Sequence, residues 1–206
     1  MNKFIISIDG PAGSGKCKIA KYISRKYNLF HLDSGILYRR FALNILNNNI
    51  SYNDEEQIKK LIKSTKNISS RNHKSLRTEK ISKLTSLIAK SDLIRNFIDK
   101  NQKLIVNKKL KKYKGSVVDG RDIGSKVFKN AKIKLFVVVN SEIRAKRRHK
   151  QLIEQGEKSI YTRILKEILL RDKADINRKS SPLIVPKRAI IIDNSYSFSK
   201  EMGALA

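Results

Sequence analysis

The sequence predicts an α/β fold in which a parallel five-stranded sheet carries helices on both faces. Two patterns support this prediction. Short apolar, β-branched segments alternate along the chain with longer segments of helical periodicity. One of the short segments, residues 133–139, is almost wholly apolar, as parallel strands buried on both faces tend to be. A length of 206 residues with 40% hydrophobic residues fits one domain with a buried core.

The predicted strands and helices follow one another in a regular order. We predict strands over residues 4–8, 29–32, 116–119, 133–139 and 189–192. Helices are predicted over residues 16–27, 34–46 and 141–156, followed by a basic helical segment that extends to residue 178. Glu142 lies in the first turn of the third helix, where the helix dipole favours an anion. Strands that alternate with helices in this way favour a parallel sheet.

Residues 47–113 interrupt the alternation. The part up to about Thr78 is polar, with one helical stretch near residues 55–64, and residues 79–113 are helical in two pieces. We expect Asp92 to be the N-cap of the second piece. The sequence therefore predicts a single domain over residues 1–206, with a core of 1–46 and 114–206, a reduced insertion at about 47–113 and a helical lid at about 156–180.

The composition narrows the classes of function. The net charge of +28 invites a nucleic-acid interpretation, but the basic residues are spread along the whole chain without interleaved stacking aromatics, so we predict no specific nucleic-acid partner. No apolar run approaches the roughly 18 residues of a membrane span, and no signal pattern is present. We expect a cytoplasmic monomer. With Cys17 as the single cysteine and histidines scattered at positions 31, 73 and 149, we predict no metal ligated by side chains.

The most specific motif lies between the first predicted strand and helix. Its seven residues match G-x-x-x-x-G-K, in which loop amides and the helix N-terminus cradle phosphates while the lysine reaches the β- and γ-phosphates. Cys17 and Lys18 follow, where a hydroxyl residue would normally assist with Mg²⁺ or a phosphate oxygen. A thiol is a poor Mg²⁺ ligand, so either the metal is held by waters and substrate oxygens or catalysis is weakened. The predicted ATP-binding residues are Gly10, Pro11, Ala12, Gly13, Ser14, Gly15, Lys16, Cys17 and Lys18.

Further candidate residues follow the second and third predicted strands. Ser34, Tyr38 and Arg39 lie along a helix start, where a hydroxyl and a guanidinium meet a phosphate. Arg121 follows a strand at the sheet edge where open α/β folds bind ligands, and its planar fork suits phosphate oxygens. Asp119 and Asp122 flank Arg121, and both carboxylates could serve only to orient it.

These segments together resemble the bacterial cytidylate kinase family. The resemblance rests on ISIDGPAGSGK, LDSGILYRR, VVDGRDIGSKVF and RDKADINRKSSPL, in that order, and covers the chain except for about residues 47–75. D-S-G-x-x-Y-R and D-G-R-D-x-G are more specific to this family than the phosphate loop, which adenylate, guanylate and shikimate kinases share. The family's loop usually ends G-K-G-T, its lid often has arginines at positions 174 and 176, and its insertion often includes a small β-sheet.

The resemblance implies transfer of the γ-phosphoryl group of ATP, with Mg²⁺ bridging donor oxygens, to CMP or dCMP. It implies that Asp122 accepts from the exocyclic amine of cytosine, and that a lid closes through Arg171, Asp175 and Arg178, which share a helical face at spacings i, i+4 and i+7. We assign catalytic roles to Lys16, Arg121, Arg171 and Arg178. The acceptor-binding residues implied are Asp33, Ser34, Tyr38, Arg39, Ser86, Arg95, Asp119, Arg121, Asp122, Arg171, Asp175 and Arg178.

One alternative within enzymes and two from other classes stay open at the sequence level. The chain could phosphorylate another nucleoside monophosphate, since base selectivity depends on the reduced insertion. It could bind nucleotide with little turnover, because Cys17 and Lys18 alter the loop and Ala174 and Ile176 remove lid charge. A basic nucleic-acid-binding module would require steep salt dependence, and no local pattern favours it.

Overall fold

A computed structural model describes residues 3–65, 67–71 and 73–196. Its strands are Phe4–Asp9 (β1), Phe30–Asp33 (β2), Gly115–Gly120 (β3), Ile133–Val138 (β4) and Ile190–Asp193 (β5). They form one parallel sheet in the order β2-β3-β1-β4-β5. The predicted α/β fold with a five-stranded parallel sheet is therefore confirmed.

The α-helices agree with the predicted segments to within a few residues at most ends. They are Lys16–Lys26 (α1), Ser34–Asn47 (α2), Glu55–Ser64 (α3), Glu79–Ile88 (α4), Asp92–Lys109 (α5), Ser141–Glu154 (α6) and Tyr161–Asn177 (α7). The predicted N-cap at Asp92 is wrong by one residue. Ser91 caps α5, because its hydroxyl accepts a hydrogen bond from the Ile94 N–H at 3.4 Å, and Asp92 lies in the first turn.

Two hydrophobic clusters cover the two faces of the sheet. Val117 and Val118 are neighbours in β3, and both are fully buried, but they belong to different clusters because successive side chains of a strand point to opposite faces. Val117 packs with α1 through Ile19, and Val118 packs with α5 through Val106. Helices on both faces leave the strand ends as the accessible part of the sheet.

A third cluster joins α2 to the segment predicted as an insertion. Residues 55–64, 79–88 and 92–109 of this segment are helical, and their apolar side chains pack around Phe41 of α2. Helix α5 contributes to this cluster through Ile98 and to the sheet through Val106. The division into core, insertion and lid stays a prediction, and its residues 1, 2, 66, 72 and 197–206 lie outside the described residues.

The order of the strands predicts a ligand-binding crevice at the carboxyl edge of the sheet. The chain leaves β1 toward β2 on one side and later crosses from β3 to β4 on the other side, so a crevice is expected at the carboxyl end of β1. Asp9, Asp33 and Asp119 end or nearly end the three neighbouring strands there. No helix in residues 3–65, 67–71 and 73–196 has the length and apolar character needed to cross a membrane.

Candidate active site at the carboxyl edge of the sheet

The phosphate loop, residues 10–15, connects β1 to α1, and its outward carbonyl groups are bound by distant side chains. The Ala12 carbonyl accepts a hydrogen bond from Arg144 at 3.0 Å, and the Ser14 carbonyl accepts one from the Asn194 amide at 2.9 Å. The Ser14 hydroxyl is buried and has no hydrogen-bond partner among the described residues. The Ser14 N–H donates to the Pro11 carbonyl at 3.4 Å, so the Ser14 hydroxyl and the other N–H groups of the loop remain for an anion.

Two glycines make the loop geometry possible. Gly15 has φ of 84° at the start of α1, a left-handed conformation that disfavours residues with a side chain. At Gly10 a Cβ atom would collide with the Val137 carbonyl oxygen of β4. These constraints explain why the predicted loop needs glycine at both positions.

Lys16 points back over the loop. Its ammonium donates to the Pro11 carbonyl at 2.9 Å, and the residue is only 8% exposed. Burial, followed by the positive charge of Arg121, lowers the pKa of Lys16 to about 7, while the negative charge of Asp119 opposes this shift. Lys16 is therefore only partly charged near neutral pH, and a bound phosphate would favour its charged form.

The two residues after Lys16 point in different directions. Cys17 is half-buried, with its Sγ 4.0 Å from Asp33 Oδ2, whereas Lys18 is exposed. The other oxygen of Asp33 accepts from the Gly35 N–H at 3.0 Å and caps α2. Burial, together with the negative charge of Asp119, raises the pKa of Asp33.

Asp9 fixes the loop that contains Arg121, a role that the sequence prediction missed. Its two carboxylate oxygens accept from the N–H groups of Ile123 and Gly124, each at 2.7 Å. Burial raises the pKa of Asp9 to about 6, although the two hydrogen bonds act in the opposite direction. The available signal was an acidic residue at the end of a buried strand, directly before the phosphate loop.

The start of α2 contributes the predicted residues Ser34 and Arg39. Ser34 is buried, and its hydroxyl lies so close to Gly120 that a Cβ there would collide with it. Arg39 donates from Nη1 to the Leu76 carbonyl and the Ser82 hydroxyl, both at 3.0 Å. The predicted residue Ser86 lies on α4, the helix that also carries Ser82, and its hydroxyl donates to the Ser82 carbonyl at 3.2 Å.

Arg95 forms a buried group with two other predicted residues. Its guanidinium is ion-paired with Asp122, and its carbon atom Cζ lies 5.8 Å from the centre of the Tyr38 ring. Arg95 is 1% exposed, and its Nε has no hydrogen-bond partner among the described residues. Burial raises the pKa of Tyr38, whose hydroxyl also has no described partner. Two polar atoms of this group are thus left for a ligand.

The carboxylates on either side of Arg121 have their ion pairs elsewhere. Asp119 contacts His31, with 2.7 Å between Asp119 Oδ1 and His31 Nε2, and Asp122 pairs with Arg95. Arg121 itself donates from Nε to Asp175 at 3.0 Å. The alternative in which both carboxylates serve only to orient Arg121 does not describe this arrangement.

Asp175 joins Arg121 to the end of the predicted lid. Burial alone would raise the pKa of Asp175, but the positive charges of Arg121, Arg178 and Arg171 hold it below its usual value. Helix α7 ends at Asn177, so the prediction that Arg178 shares a helical face with Asp175 is wrong. Arg178 is extended, and its Nη1 still lies 3.4 Å from Asp175 Oδ1 because the chain turns back toward the helix.

Arg171 lies in the same electropositive region. Burial, followed by the positive charge of Arg121, lowers its pKa to about 10, with a smaller contribution from Arg39. The positive charges of Arg121 and Arg171 both lower the pKa of Lys16, and that of Arg39 contributes to the lowered pKa of Arg171. Such a group of like charges is typical of a site that binds phosphates.

An ion pair between α6 and α7 was also missed by sequence analysis. Arg144 donates to Asp172 from Nη1 at 3.0 Å and from Nη2 at 2.5 Å, in a bidentate arrangement. Since Arg144 also holds the Ala12 carbonyl, it connects the phosphate loop directly to the lid helix. The partners Ala12 and Asp172 are 132 and 28 residues away from Arg144 in the chain, and no local pattern signals them.

Comparison with known proteins identifies the family of this chain. A family model described as cytidylate kinase matches residues 6–203. The chain belongs to the cytidylate kinase family. A cytidylate kinase of Fusobacterium nucleatum is 36% identical to this chain over an alignment of length 206. The alignment covers 95% of this chain and 91% of the relative. One of Thermosipho melanesiensis is 38% identical over 199 residues, covering 92% and 88%.

The comparisons confirm the predicted cytidylate kinase resemblance and the prediction of a kinase. A further relative, the cytidylate kinase of Rickettsia akari, is 38% identical over 192 residues, covering 93% of this chain and 84% of the relative. Among solved structures, TT1252 from Thermus thermophilus aligns over 100% of this chain and 95% of its own, with a TM-score of 0.52 and 18% identity. That likeness supports the fold alone.

Proposed function

We propose that this member of the cytidylate kinase family transfers the γ-phosphoryl group of ATP to CMP or dCMP, giving CDP or dCDP. The observation that carries the proposal is the parallel pairing of β1 with β3, because the phosphate loop with Lys16 and the loop with Arg121 follow these neighbouring strands at the carboxyl edge of the sheet. Buried and half-buried cations are costly unless anions pair with them, and the carboxylate of Asp175 occupies the Nε of Arg121, which leaves the terminal nitrogens of that guanidinium for further anions. Two phosphorylated substrates, donor and acceptor, supply those anions.

The donor binds to the phosphate loop in this proposal. The loop amides, the Ser14 hydroxyl and the N-terminus of α1 surround the β-phosphate, and Lys16 exchanges the Pro11 carbonyl for phosphate oxygens. Arg144 and Asn194 hold the loop open from outside, so the binding geometry exists before the nucleotide arrives.

The acceptor binds between α2, the loop at Arg121 and α7. Arg121 retains its terminal guanidinium nitrogens for the acceptor phosphate while its Nε is held by Asp175. In this proposal the buried group of Tyr38, Arg95 and Asp122, together with Ser86 and Arg39 of the predicted set, recognises the cytosine edge through its polar atoms. Arg178 and Asp175 close the site over the sugar.

The metal that accompanies ATP fits the oxygen donors of this edge. Asp33 Oδ2 lies at the first turn of α1, 4.0 Å from Cys17 Sγ, and a carboxylate is a ligand type that Mg²⁺ accepts directly or through water. Cys17 does not suit Mg²⁺, so Asp33 is the side chain that would hold it here. When bound, Mg²⁺ would supply positive charge that offsets the charge developing on the transferred group.

The reaction needs little proton transfer from the protein. The acceptor phosphate is already ionised near neutral pH, so catalysis rests on holding donor and acceptor in line and on stabilising charge on the moving group. Lys16, Arg121, Arg171 and Arg178 serve the second purpose. A monomeric state and a cytoplasmic location are part of the same proposal, and light scattering on the purified chain tests the first.

A weakened enzyme is the second candidate, because of one specific observation. The side chain after Lys16 is a thiol that faces Asp33, in the position where a hydroxyl would assist with the metal or a phosphate oxygen. This candidate predicts nucleotide affinity without useful turnover, so the test must measure both quantities on the same preparation.

A coupled kinase assay with ATP and Mg²⁺ and a panel of CMP, dCMP, UMP, AMP and GMP tests the proposal. We expect turnover with CMP or dCMP that exceeds turnover with the purine monophosphates, and a loss of at least about a hundredfold in the Lys16→Ala variant, which lacks the charge at the β- and γ-phosphates. Tight ATP binding without turnover would favour the weakened enzyme. Turnover that prefers another monophosphate would contradict the acceptor assignment.

A further inference from the structure

Three side chains of different chemistry meet beside the phosphate loop. Sulfur atom Sγ of Cys17, Nε2 of His31 and Oδ1 of Asp119 all lie within 4.8 Å of one another. They come from the first turn of α1, from β2 and from the end of β3, and the parallel pairing of β2 with β3 brings the second and third together. The sequence analysis predicted no metal-ligating side chains because it considered only the spacing of residues along the chain. That spacing does not reveal which strands pair in the sheet.

The donor set matches a transition metal rather than Mg²⁺. One thiolate, one imidazole and one carboxylate are the ligand types that bind Zn²⁺, and three protein ligands with an open fourth position are typical of its accessible sites. A soft thiolate selects against hard cations such as Mg²⁺ and Ca²⁺. A water molecule can complete the coordination.

The distances need only small adjustments. Ligand atoms of a tetrahedral Zn²⁺ site, with bonds of about 2.0–2.3 Å, lie roughly 3.3–3.7 Å apart. His31 Nε2 and Asp119 Oδ1 are 2.7 Å apart, so these two would separate by less than about 1 Å, a change within reach of side-chain rotation. Asp119 is 2% exposed and anchors the group, while Cys17 and His31 are partly exposed, which leaves a route for the ion.

We propose that Cys17, His31 and Asp119 bind a divalent transition metal ion of the Zn²⁺ class at the first turn of α1. The site is separate from the Mg²⁺ that ATP brings, because it does not require nucleotide and includes the thiolate. Binding releases the Cys17 thiol proton and replaces the direct contact between His31 and Asp119 by two bonds to the metal.

Titration of the full, reduced chain with Co²⁺ in the absence of nucleotide tests the proposal. Cys17 is the single cysteine, so a thiolate-to-cobalt charge-transfer absorption reports on this position alone. We expect the absorption to saturate at one Co²⁺ per chain, to disappear on addition of Zn²⁺ and to survive a large excess of Mg²⁺. Absence of the absorption at saturating Co²⁺, or its loss to Mg²⁺, overturns the proposal.

Matched variants assign the other ligands. Cys17→Ser should abolish the absorption, and His31→Gln should weaken Zn²⁺ binding, measured by competition with a chromophoric chelator, by at least about tenfold. His149→Gln is the control, because His149 bonds to Ser159 in another part of the fold, and its Zn²⁺ affinity should equal that of the native chain. Equal Zn²⁺ affinity in all four proteins, with circular dichroism showing that each is folded, would show that this group is not the site.

Discussion

At the scale of single residues, the protonation state of Lys16 is linked to the binding of the phosphate donor. Its ammonium is buried against the Pro11 carbonyl, and its pKa is lowered to about 7, first by burial and then by Arg121. In the free protein a large fraction of Lys16 is therefore neutral above this pH. Phosphate oxygens favour the charged form, so donor binding and protonation of Lys16 are linked.

This linkage gives a prediction for ATP binding. Above about pH 7.5 the free protein has a mostly neutral Lys16, so we expect ATP binding to take up close to one proton and the affinity to fall by up to about tenfold per pH unit. Calorimetry in buffers of different ionisation enthalpy measures the uptake. The Lys16→Arg variant stays charged and should show almost none. Equal proton uptake in both proteins would assign it to another group.

Arg121 gives a second prediction, because its guanidinium has two different tasks. Its Nε is held by Asp175, and its planar fork is proposed to bind the acceptor phosphate. Arg121→Lys keeps a positive charge but loses the fork, so we expect KM for CMP to rise roughly ten- to a hundredfold, with KM for ATP changed by less than about threefold. Steady-state kinetics check this split.

The control for Arg121→Lys is Arg163→Lys on the exposed surface of α7, where the guanidinium pairs with Glu167. It should leave both KM values within about twofold of native, since exposed ion pairs contribute little. An Arg121→Lys variant with an unchanged KM for CMP would remove Arg121 from the acceptor site.

Residue types that carry local signals were found from the sequence, and residues defined by long-range contacts were missed. The glycine loop and Lys16 lie within one continuous motif, whereas the contact of His31 with Asp119 spans 88 residues and that of Arg144 with Ala12 spans 132. Asp9 was overlooked for the same reason, because its partners Ile123 and Gly124 are on another strand connection. No pattern within a local window contains such pairs.

At the scale of secondary-structure elements, the strands and helices were predictable because hydrophobic periodicity is a local property. Their ends were less so. Ser91 rather than Asp92 caps α5, since either residue type is a good cap and the choice depends on which backbone conformation the preceding loop imposes. Helix α7 ends before Arg178, where the chain turns so that the Leu183 N–H donates to the Asp175 carbonyl at 2.8 Å.

Asp172 of α7 pairs with Arg144, which also holds the phosphate loop, and this connection between helix and loop is testable. Asp172→Asn removes the charge that faces Arg144, whose guanidinium is buried and also holds the Ala12 carbonyl. We expect a loss of about 1–3 kcal/mol in the free energy of unfolding and a fall of about five- to fiftyfold in kcat/KM for both substrates. Urea unfolding and steady-state kinetics measure the two effects.

Glu167→Gln is the matched control on the same helix. It breaks the pair with Arg163, in which both side chains are exposed, so stability should change by less than about 0.5 kcal/mol and kcat/KM should stay near native. If Asp172→Asn behaves like this control, the connection between lid helix and phosphate loop has no part in catalysis.

At the scale of the whole molecule, charge is distributed in two different ways. The basic side chains behind the formal net charge of +28 are dispersed along the whole chain, and Lys18 and Lys83 are exposed examples. The cations of the site are instead buried or half-buried and close to carboxylates, as in the pairs Arg121–Asp175 and Arg95–Asp122. Exposed charge is screened by salt, but buried charge is screened much less.

This difference separates the catalytic function from non-specific attraction to polyanions. We expect the protein to bind short RNA and DNA at low salt without sequence preference, because dispersed lysines neutralise phosphates anywhere along a strand. Between 50 and 200 mM KCl that affinity should fall by at least about a hundredfold. Over the same range kcat/KM for CMP should fall by less than about tenfold, since only the steering of the substrate is screened.

Fluorescence anisotropy with labelled oligonucleotides, run beside the kinase assay at each salt concentration, measures both quantities. Lys16→Ala should lose turnover but retain the oligonucleotide binding, because that binding uses the exposed surface rather than the phosphate loop. Oligonucleotide binding that persists at 200 mM KCl and prefers one sequence would instead indicate a nucleic-acid partner. That outcome would contradict the prediction that the dispersed positive charge has no specific ligand.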